Sequence, residues 1–277
     1  MSFLAQMAGH SAERVAAARA RRSEAALLAA CAATPPPPPL RLSGFDLIAE
    51  IKRNSPAEGA LALDADVPER AADYAATGAA AISVLTEPTR FSGSLDDLAA
   101  AAVTATPQRV PVMRKDFLVD PWQVLEAREA GAGGVLLIVA MLTDDQLDEL
   151  LAVAAEQGLF VLLETFDEAD LERASPQLAG HAHDAGGAAR LVGVNSRDLR
   201  TLAVDPARLA RLAPSLPPRV PAVAESGLHT ADDAAAAAAL GYRVALVGTA
   251  LMRAAAPAKL AAAMIAAGRQ ALMEKTG

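Results

Sequence analysis

The chain has 277 residues, a formal net charge of −8 and a sequence pI near 5.1, and this acidic balance argues against nucleic acid as a partner. Its length allows one large domain or two small ones, and its hydrophobic content of 53% allows a sizeable core. Its single cysteine, Cys31, excludes a disulfide framework within the chain. The chain starts without a secretory signal pattern, and its longest apolar run, residues 130–142, is too short to span a bilayer, so we expect a cytoplasmic protein with no membrane partner.

The first part of the chain is distinct from the rest. Residues 11–33 are rich in Ala, Arg, Glu and Leu and predict a surface helix. Pro35 to Pro39 end it, because consecutive prolines favour an extended, stiff spacer. We therefore expect a helical extension with a proline spacer at residues 1–44 and one catalytic domain at residues 45–277.

Short apolar segments typical of strands recur after this spacer, with helical stretches between them. The eight segments are Phe45 to Ile51, Ala81 to Leu85, Val110 to Met113, Gly134 to Val139, Leu159 to Leu163, Leu191 to Val194, Val220 to Ala224 and Arg243 to Val247. Eight alternating units predict an α/β fold, a closed (β/α)8 TIM barrel with an N-terminal helical extension. The alternative is an open doubly wound sheet, but the turn KRNSPAEG after the first segment lacks the G-x-G-x-x-G spacing of such sheets.

The first predicted strand carries two opposite charges, Glu50 and Lys52. Residues two apart in a strand point to the same face, so a carboxylate and an ammonium share one side of a buried strand. Such charges are costly to bury unless they pair or do chemistry. This stretch alone leaves both interpretations open, a structural ion pair or part of an active site.

Polar residues follow seven of the eight predicted strands at their carboxyl ends. They are Lys52 and Ser55, Glu87, Arg114 to Asp116, Glu164, Asn195, Glu225 and Ser226, and Gly248 and Thr249. The amino ends of the strands show no such set, and structural salt bridges have no reason to choose one end. Because active sites of (β/α)8 barrels lie at the carboxyl ends, this asymmetry predicts an active site there.

The last two predicted strands suggest the type of ligand. Gly227 and Gly248 follow them, and the corresponding loops of barrels often bind phosphate. The histidines lie outside the strand ends, at residues 10, 181, 183 and 229, which disfavours a metal site. A buried lysine near a glutamate suits acid–base chemistry or a Schiff base. The residues alone therefore predict a barrel enzyme acting on a small phosphorylated substrate, without a metal.

Seven motifs then mark a resemblance. In chain order they read IAEIKRNSP, SVLTEPTRFSGS, VMRKDF, LLETF, GVNSRDL, VAESGL and LVGTALM. From about Phe45 to Gly268 the chain resembles the indole-3-glycerol phosphate synthase family of tryptophan biosynthesis. The resemblance implies a lyase without cofactor that acts on 1-(2-carboxyphenylamino)-1-deoxyribulose 5-phosphate, with ring closure and loss of carbon dioxide and water.

The resemblance also implies roles for individual residues. Lys115 would be the general acid that protonates the carbonyl oxygen, and Glu164 its partner acid or base in the dehydration. Lys52 would hold the substrate carboxylate or phosphate, with Glu50 positioning it. Asn195 would hydrogen-bond the reacting hydroxyl.

The remaining implied contacts are to the substrate. Glu225 and Ser226 would support its hydroxyls. Contacts to the phosphate would come from Lys52, Gly227, Gly248 and Thr249. Contacts to the carboxylate would come from Ser55 and Arg197. Phe91 and Phe117 would sandwich the aromatic ring of the substrate, although either side chain could simply be part of the packing.

The chain departs from the family pattern at four places. Phe166 replaces a common histidine after the fifth strand, and Gly131 to Gly133 replace the usual Gly-Ala-Asp. Residues 183–190 look like a lengthened loop, and Thr249 stands where serine or glutamate is common. None of these removes a catalytic group that the resemblance implies.

Three other functions remain open from the sequence. One is another phosphate-binding barrel enzyme, such as phosphoribosylanthranilate isomerase, although that chemistry suits a cysteine–aspartate pair at strand ends. The second is a Schiff-base aldolase that uses Lys115 or Lys52. The third is a non-catalytic barrel that binds a phosphorylated sugar. The acidic, alanine-rich exterior predicts a monomer.

Overall fold

The structure, a computed structural model, describes residues 2–55, 59–60, 66–178 and 189–276. Within these ranges eight parallel strands close into a barrel, each pairing with its neighbours along the chain and the last with the first. The strands are β1 (Asp46–Ile51), β2 (Ala81–Leu85), β3 (Val112–Lys115), β4 (Gly134–Ile138), β5 (Phe160–Thr165), β6 (Arg190–Asn195), β7 (Ala222–Glu225) and β8 (Val244–Val247). The predicted (β/α)8 barrel is confirmed, and the doubly wound alternative is wrong.

Helices surround the barrel and precede it. They are α1 (Phe3–Arg21), α2 (Glu24–Ala33), α3 (Val67–Ala76), α4 (Leu95–Ala105), α5 (Pro121–Glu129), α6 (Asp144–Glu156), α7 (Glu168–Leu178), α8 (Arg208–Leu212), α9 (Ala231–Leu240), α10 (Thr249–Arg253) and α11 (Pro257–Thr276). A two-stranded antiparallel hairpin, residues 54–55 with residues 59–60, follows β1. Among the described helices, none is long and apolar enough to cross a membrane.

Reciprocal side-chain caps mark the starts of two helices. At the start of α6, the Thr143 hydroxyl oxygen accepts a hydrogen bond from the Gln146 backbone N–H, and the Gln146 side-chain oxygen accepts one from the Thr143 backbone N–H. Thr230 and Asp233 make the same reciprocal pair at the start of α9. Each pair satisfies backbone donors that a helix start leaves without a partner.

Side-chain alternation along β1 explains how the core and the site divide the barrel. Leu47, Ala49 and Ile51 face outward and pack in the layer between strands and helices. Ile48 faces inward and packs with the residues that fill the barrel. Glu50 continues the inward face at the carboxyl end of β1, so the strand delivers its carboxylate to the barrel mouth.

The prediction of one surface helix at residues 11–33 is wrong. The chain forms α1 from Phe3 and α2 after it, and Arg22 lies between them with an extended backbone. Helix α1 is also partly core, because Leu4, Met7 and Val15 are buried. Since α1 packs on the barrel, the division of the chain at residue 44 stays a prediction.

Candidate active site

A pocket opens at the carboxyl end of the barrel, where the strand-end residues were expected to meet. Its walls are Glu50, Lys52, Leu85, Phe91, Lys115, Asp116, Phe117, Leu136, Ile138, Asn195, Arg197, Leu199, Leu202, Val204, Glu225, Ser226, Gly227, Leu228, His229, Leu246, Val247, Gly248 and Thr249. Of the remaining predicted site residues, Glu164 reaches the pocket through Lys115. Ser55 lies in the hairpin beyond Lys52, and its substrate contact stays a prediction.

Lys115 lies at the centre of a set of polar side chains that spans four strands. Its Nζ donates to Glu164 Oε2 at 2.9 Å, and Asn195 Nδ2 donates to Glu164 Oε1 at 2.9 Å. Lys115 Nζ also lies 3.6 Å from Glu225 Oε2. Strands β3, β5, β6 and β7 therefore each supply one member of a connected set.

The charge state of Lys115 follows from its neighbours. Burial alone would lower the pKa of Lys115, but the carboxylates of Glu164, Glu225 and Glu50 raise this pKa above its ordinary value. The side chain is therefore an ammonium at neutral pH and can donate a proton. A Schiff base needs the free amine instead, so this environment disfavours the aldolase alternative.

Glu225 has the opposite environment. Its side chain is 1% exposed, and no amide, amine or hydroxyl of the described residues donates a hydrogen bond to either carboxyl oxygen. Burial raises the pKa of Glu225 well above its ordinary range, and the Glu164 carboxylate raises this pKa further, against the effect of Lys115. Glu225 therefore keeps a proton at a higher pH than an exposed glutamate does.

Glycine makes room for Glu225 on the neighbouring strand. A Cβ atom at Gly193 would lie 1.9 Å from Glu225 Oε1, a distance that no side chain tolerates. The need for glycine at residue 193 of β6 could not be seen from the sequence pattern at the strand ends.

Glu50 and Lys52 form the ion pair that their spacing predicted. Lys52 Nζ lies 2.9 Å from Glu50 Oε1, and both side chains are largely buried. A Cβ atom at Gly248 would lie 2.1 Å from Glu50 Oε1 and 3.1 Å from Lys52 Nζ. Gly248 therefore lets the pair pack directly against the end of β8.

The loops after β7 and β8 lie side by side at the pocket wall, as predicted for a phosphate site. Ser226 and Gly227 both have left-handed backbones, with φ of 63° and 79°. Thr249 follows Gly248 in the same wall. His229, which we expected away from the strand ends, also lines this pocket.

Two aromatic rings form another wall. The ring centroids of Phe91 and Phe117 are 6.1 Å apart with an interplanar angle of 40°. Phe3 of α1 meets Phe117 edge to face at 5.9 Å. The predicted pair of rings is therefore adjacent and backed by the N-terminal helix.

Sequence reasoning missed the apolar part of the pocket. Leu136 and Ile138 lie two residues apart on the inward face of β4, the strand that offered no polar end residue. Leu199, Leu202 and Val204 come from the loop after β6. Period-two alternation in β4 was the available signal for the first two residues, but the loop residues have no such pattern.

The departures have structural counterparts where they are described. Phe166 is fully buried, and the Arg200 guanidinium lies 5.4 Å from its ring centroid. Most of the lengthened loop, residues 183–188, lies outside the described residues. Within the described ranges, no group of three or more His, Cys, Asp or Glu side chains could hold a metal ion.

Comparison with known proteins gives consistent matches. The family model for indole-3-glycerol phosphate synthase matches residues 4–264. A Nocardioides protein with that name is 48% identical over 213 residues, which cover 77% of this chain and 77% of the relative. Indole-3-glycerol phosphate synthase 1 of Streptomyces coelicolor is 44% identical over 229 residues, which cover 83% of this chain and 80% of the relative.

Solved structures of other proteins share the fold. Thiamine phosphate pyrophosphorylase from Pyrococcus furiosus matches with a TM-score of 0.56 at 17% identity, over 84% of this chain and 98% of that chain. The 3-hexulose-6-phosphate synthase from Salmonella typhimurium matches with a TM-score of 0.57 at 16% identity, over 83% of this chain and 99% of that chain. At these identities the likeness concerns the barrel alone.

Proposed function

The chain belongs to the indole-3-glycerol phosphate synthase family, and from this premise we propose how its own residues carry out the reaction. The protein is a carboxy-lyase of tryptophan biosynthesis. It converts 1-(2-carboxyphenylamino)-1-deoxyribulose 5-phosphate into indole-3-glycerol phosphate, carbon dioxide and water. The observation that carries the proposal is the Lys115 ammonium held between the carboxyl groups of Glu164 and Glu225.

Ring closure needs an acid at the ketone oxygen. The ring carbon that bears the carboxylate attacks the ketone carbon, and the carbonyl electron pair moves to the oxygen. Lys115 gives its proton to this oxygen, which becomes a hydroxyl group. The bond to the carboxylate then breaks, carbon dioxide leaves, and the electron pair restores the aromatic ring. The raised pKa of Lys115 keeps the proton available for this step.

Dehydration needs an acid for the leaving hydroxyl and a base for the neighbouring carbon. We propose Glu164 as the partner acid or base of this step, and the hydrogen bonds that it accepts from Lys115 and Asn195 support this role. Lys115, reprotonated from solvent after ring closure, passes a proton through the Glu164 carboxyl to the hydroxyl, which leaves as water. The Glu164 carboxylate then takes the proton from the adjacent CH₂ group and returns it to Lys115. Glu225 and Ser226 hold the substrate's hydroxyls.

The remaining contacts bind and orient the two ends of the substrate. Lys52, positioned by Glu50, is within reach of the carboxylate or the phosphate, and Gly227, Gly248 and Thr249 bind the phosphate. Arg197 and Ser55 contact the carboxylate, and Phe91 with Phe117 contacts the ring. An apolar wall beside a cation can bend the carboxylate out of the ring plane by binding energy, which favours its loss.

The test uses the fluorescence of the indole product. The native chain and a Lys259→Met variant, whose substitution is exposed, should both produce it. Lys115→Met should lower kcat by about 10²- to 10⁴-fold, with a smaller change in KM. If the native chain binds the substrate without turnover, the proposed lyase function is wrong and the non-catalytic barrel is favoured. If Lys115→Met keeps full kcat, the proposed general acid is wrong.

We further propose a cytoplasmic monomer. The large apolar side chains that are exposed in the described ranges are scattered, at Leu28, Val103, Val204, Leu240 and Met273, and they form no obvious patch for a second copy. The single cysteine, Cys31, is buried and carries a free thiol, which fits a reducing compartment. Light scattering on the purified protein and fractionation of the source cells test these two proposals separately.

A further inference from the structure

Glu87 is a buried carboxylate that the reaction does not use. It follows β2 directly and is 1% exposed. Its Oε1 accepts hydrogen bonds from Thr89 N at 2.9 Å and Thr89 Oγ1 at 2.5 Å. Its Oε2 accepts from Arg90 N at 2.6 Å and Phe91 N at 3.2 Å. Four donors from Thr89, Arg90 and Phe91 therefore occupy both oxygens.

The same loop is closed tightly on its other side. Gly93 N donates to Glu87 O at 3.0 Å, and Ser92 has a left-handed backbone with φ of 55°. A Cβ atom at Gly93 would lie 2.0 Å from Leu85 O, so the backbone at Gly93 packs directly against the end of β2 and leaves no room for a side chain. The backbone of Phe91 is thus fixed from both ends of residues 87–93, a segment that we call the Phe91 loop.

Phe91 is the residue of this loop that lines the pocket. Its ring adjoins Phe117, which lies two residues after Lys115. We propose that Glu87 is a positioning residue for recognition of the substrate's aromatic ring: its carboxylate organises the Phe91 loop and thereby holds the Phe91 ring at the pocket wall. This inference rests on the proposed function, in which Phe91 contacts that ring.

The chemistry of the contacts explains why a carboxylate is needed. An ionised carboxylate has two acceptor oxygens, and Glu87 uses each of them for two donors. Glutamine has the same shape, but one oxygen becomes an NH₂ group that faces two N–H or O–H donors. Glu87→Gln therefore opposes its NH₂ group to at least one backbone N–H, even where the Thr89 hydroxyl turns to accept from it, with no change in volume.

The affinities for two ligands distinguish a positioning role of Glu87 from a general disruption of the site. Indole-3-glycerol phosphate carries ring and phosphate, whereas glycerol 3-phosphate carries only the phosphate end. Glu87→Gln should weaken the first about five- to tenfold and leave the second within about twofold. Gly93→Ala, which displaces the loop from Leu85 O, should give the same split by another route. Thr89→Val keeps the three backbone donors and should change neither ligand by more than about threefold.

A double-mutant cycle then tests whether Glu87 acts through Phe91. In a Phe91→Ala background, Glu87→Gln should have no further effect on the affinity for indole-3-glycerol phosphate. If the two effects add, or if Glu87→Gln weakens both ligands equally, the inference is overturned. If Phe91→Ala itself leaves that affinity unchanged, the ring contact of the proposed function fails, and this outcome is distinct from the others.

Discussion

Replacing Lys115 by methionine should destabilise the protein as well as abolish its acid. The substitution keeps the length of the side chain but removes a cation that lies 2.9 Å from Glu164 and 3.6 Å from Glu225. These two side chains are 0% and 1% exposed, so water cannot replace the lysine. Removal of one partner from a buried ionic set costs about 3–5 kcal/mol, which is a large part of the roughly 5–15 kcal/mol that stabilises a domain.

The stability lost in Lys115→Met should depend on pH, and the direction of this dependence follows from the buried carboxyl group that remains. The pKa of Lys115 is raised in the folded state, so the stabilisation by Lys115 is fully present below the ordinary lysine pKa of about 10.4. In the variant Glu225, whose pKa burial already raises, has lost the cation that lowered this pKa, so its carboxyl group keeps a proton to a higher pH than in the native chain. Stability of the variant should therefore fall as pH rises from about 5.5 to about 8.

Urea unfolding at these two pH values measures both effects. Trp122, the single tryptophan, is buried, and its fluorescence reports the transition. We expect a loss of about 3–5 kcal/mol at the higher pH and a clearly smaller loss at the lower one. The Lys259→Met control should stay within about 0.5 kcal/mol at both. An equal loss at both pH values, or a loss below about 1 kcal/mol at the higher one, would falsify this account of the buried charges.

Three further predictions concern neighbouring groups. Burial raises the pKa of Glu225, so the native chain loses stability as pH rises through the folded-state pKa of this group. In the same urea experiment, Glu225→Gln should be more stable than the native chain near pH 8, and this difference should vanish near pH 4. Gly248→Ala puts a Cβ atom 2.1 Å from Glu50 Oε1 and should lower kcat/KM by about tenfold or more, and unchanged kinetics would contradict the close packing of Glu50. Arg14→Met should cost about 1–3 kcal/mol in thermal unfolding, because it leaves one buried side of Asp116 without its guanidinium, whereas Arg14→Lys should lose less.

The barrel could be predicted because its signal is local and repeated. The boundaries were less certain, and β3 shows why. The prediction ended this strand at Met113, before the charged residues, but β3 runs from Val112 to Lys115. Arg114 and Lys115 remain in the strand because each charge has buried partners: Arg114 faces Asp116 and Glu126 at 3.1 Å each, and Lys115 faces the pocket. These partners depend on tertiary contacts.

The polar residues of the site could be predicted as well, because they lie at the carboxyl ends of the predicted strands. The contacts that loops make could not be predicted. The hydrogen bonds of Glu87 to its own loop depend on a backbone conformation that single residue types do not specify. The space that Gly193 leaves for Glu225 depends on strand register. The two-helix form of the N-terminal segment depends on what it packs against.

Helix α1 has a consequence for how the chain acquires its structure. Its contacts at the barrel mouth join residues far apart in sequence, with Arg14 bound to Asp116 over a separation of 102 residues and Ser11 to Phe117 over 106. During synthesis α1 is made before its partners Asp116 and Phe117, which follow only after β1, β2 and β3. Until then its apolar side, including Leu4 and Met7, has no surface to cover. Contacts between residues so far apart in sequence are slow to form, so α1 docks late. The barrel without α1 exposes apolar surface and is prone to aggregation.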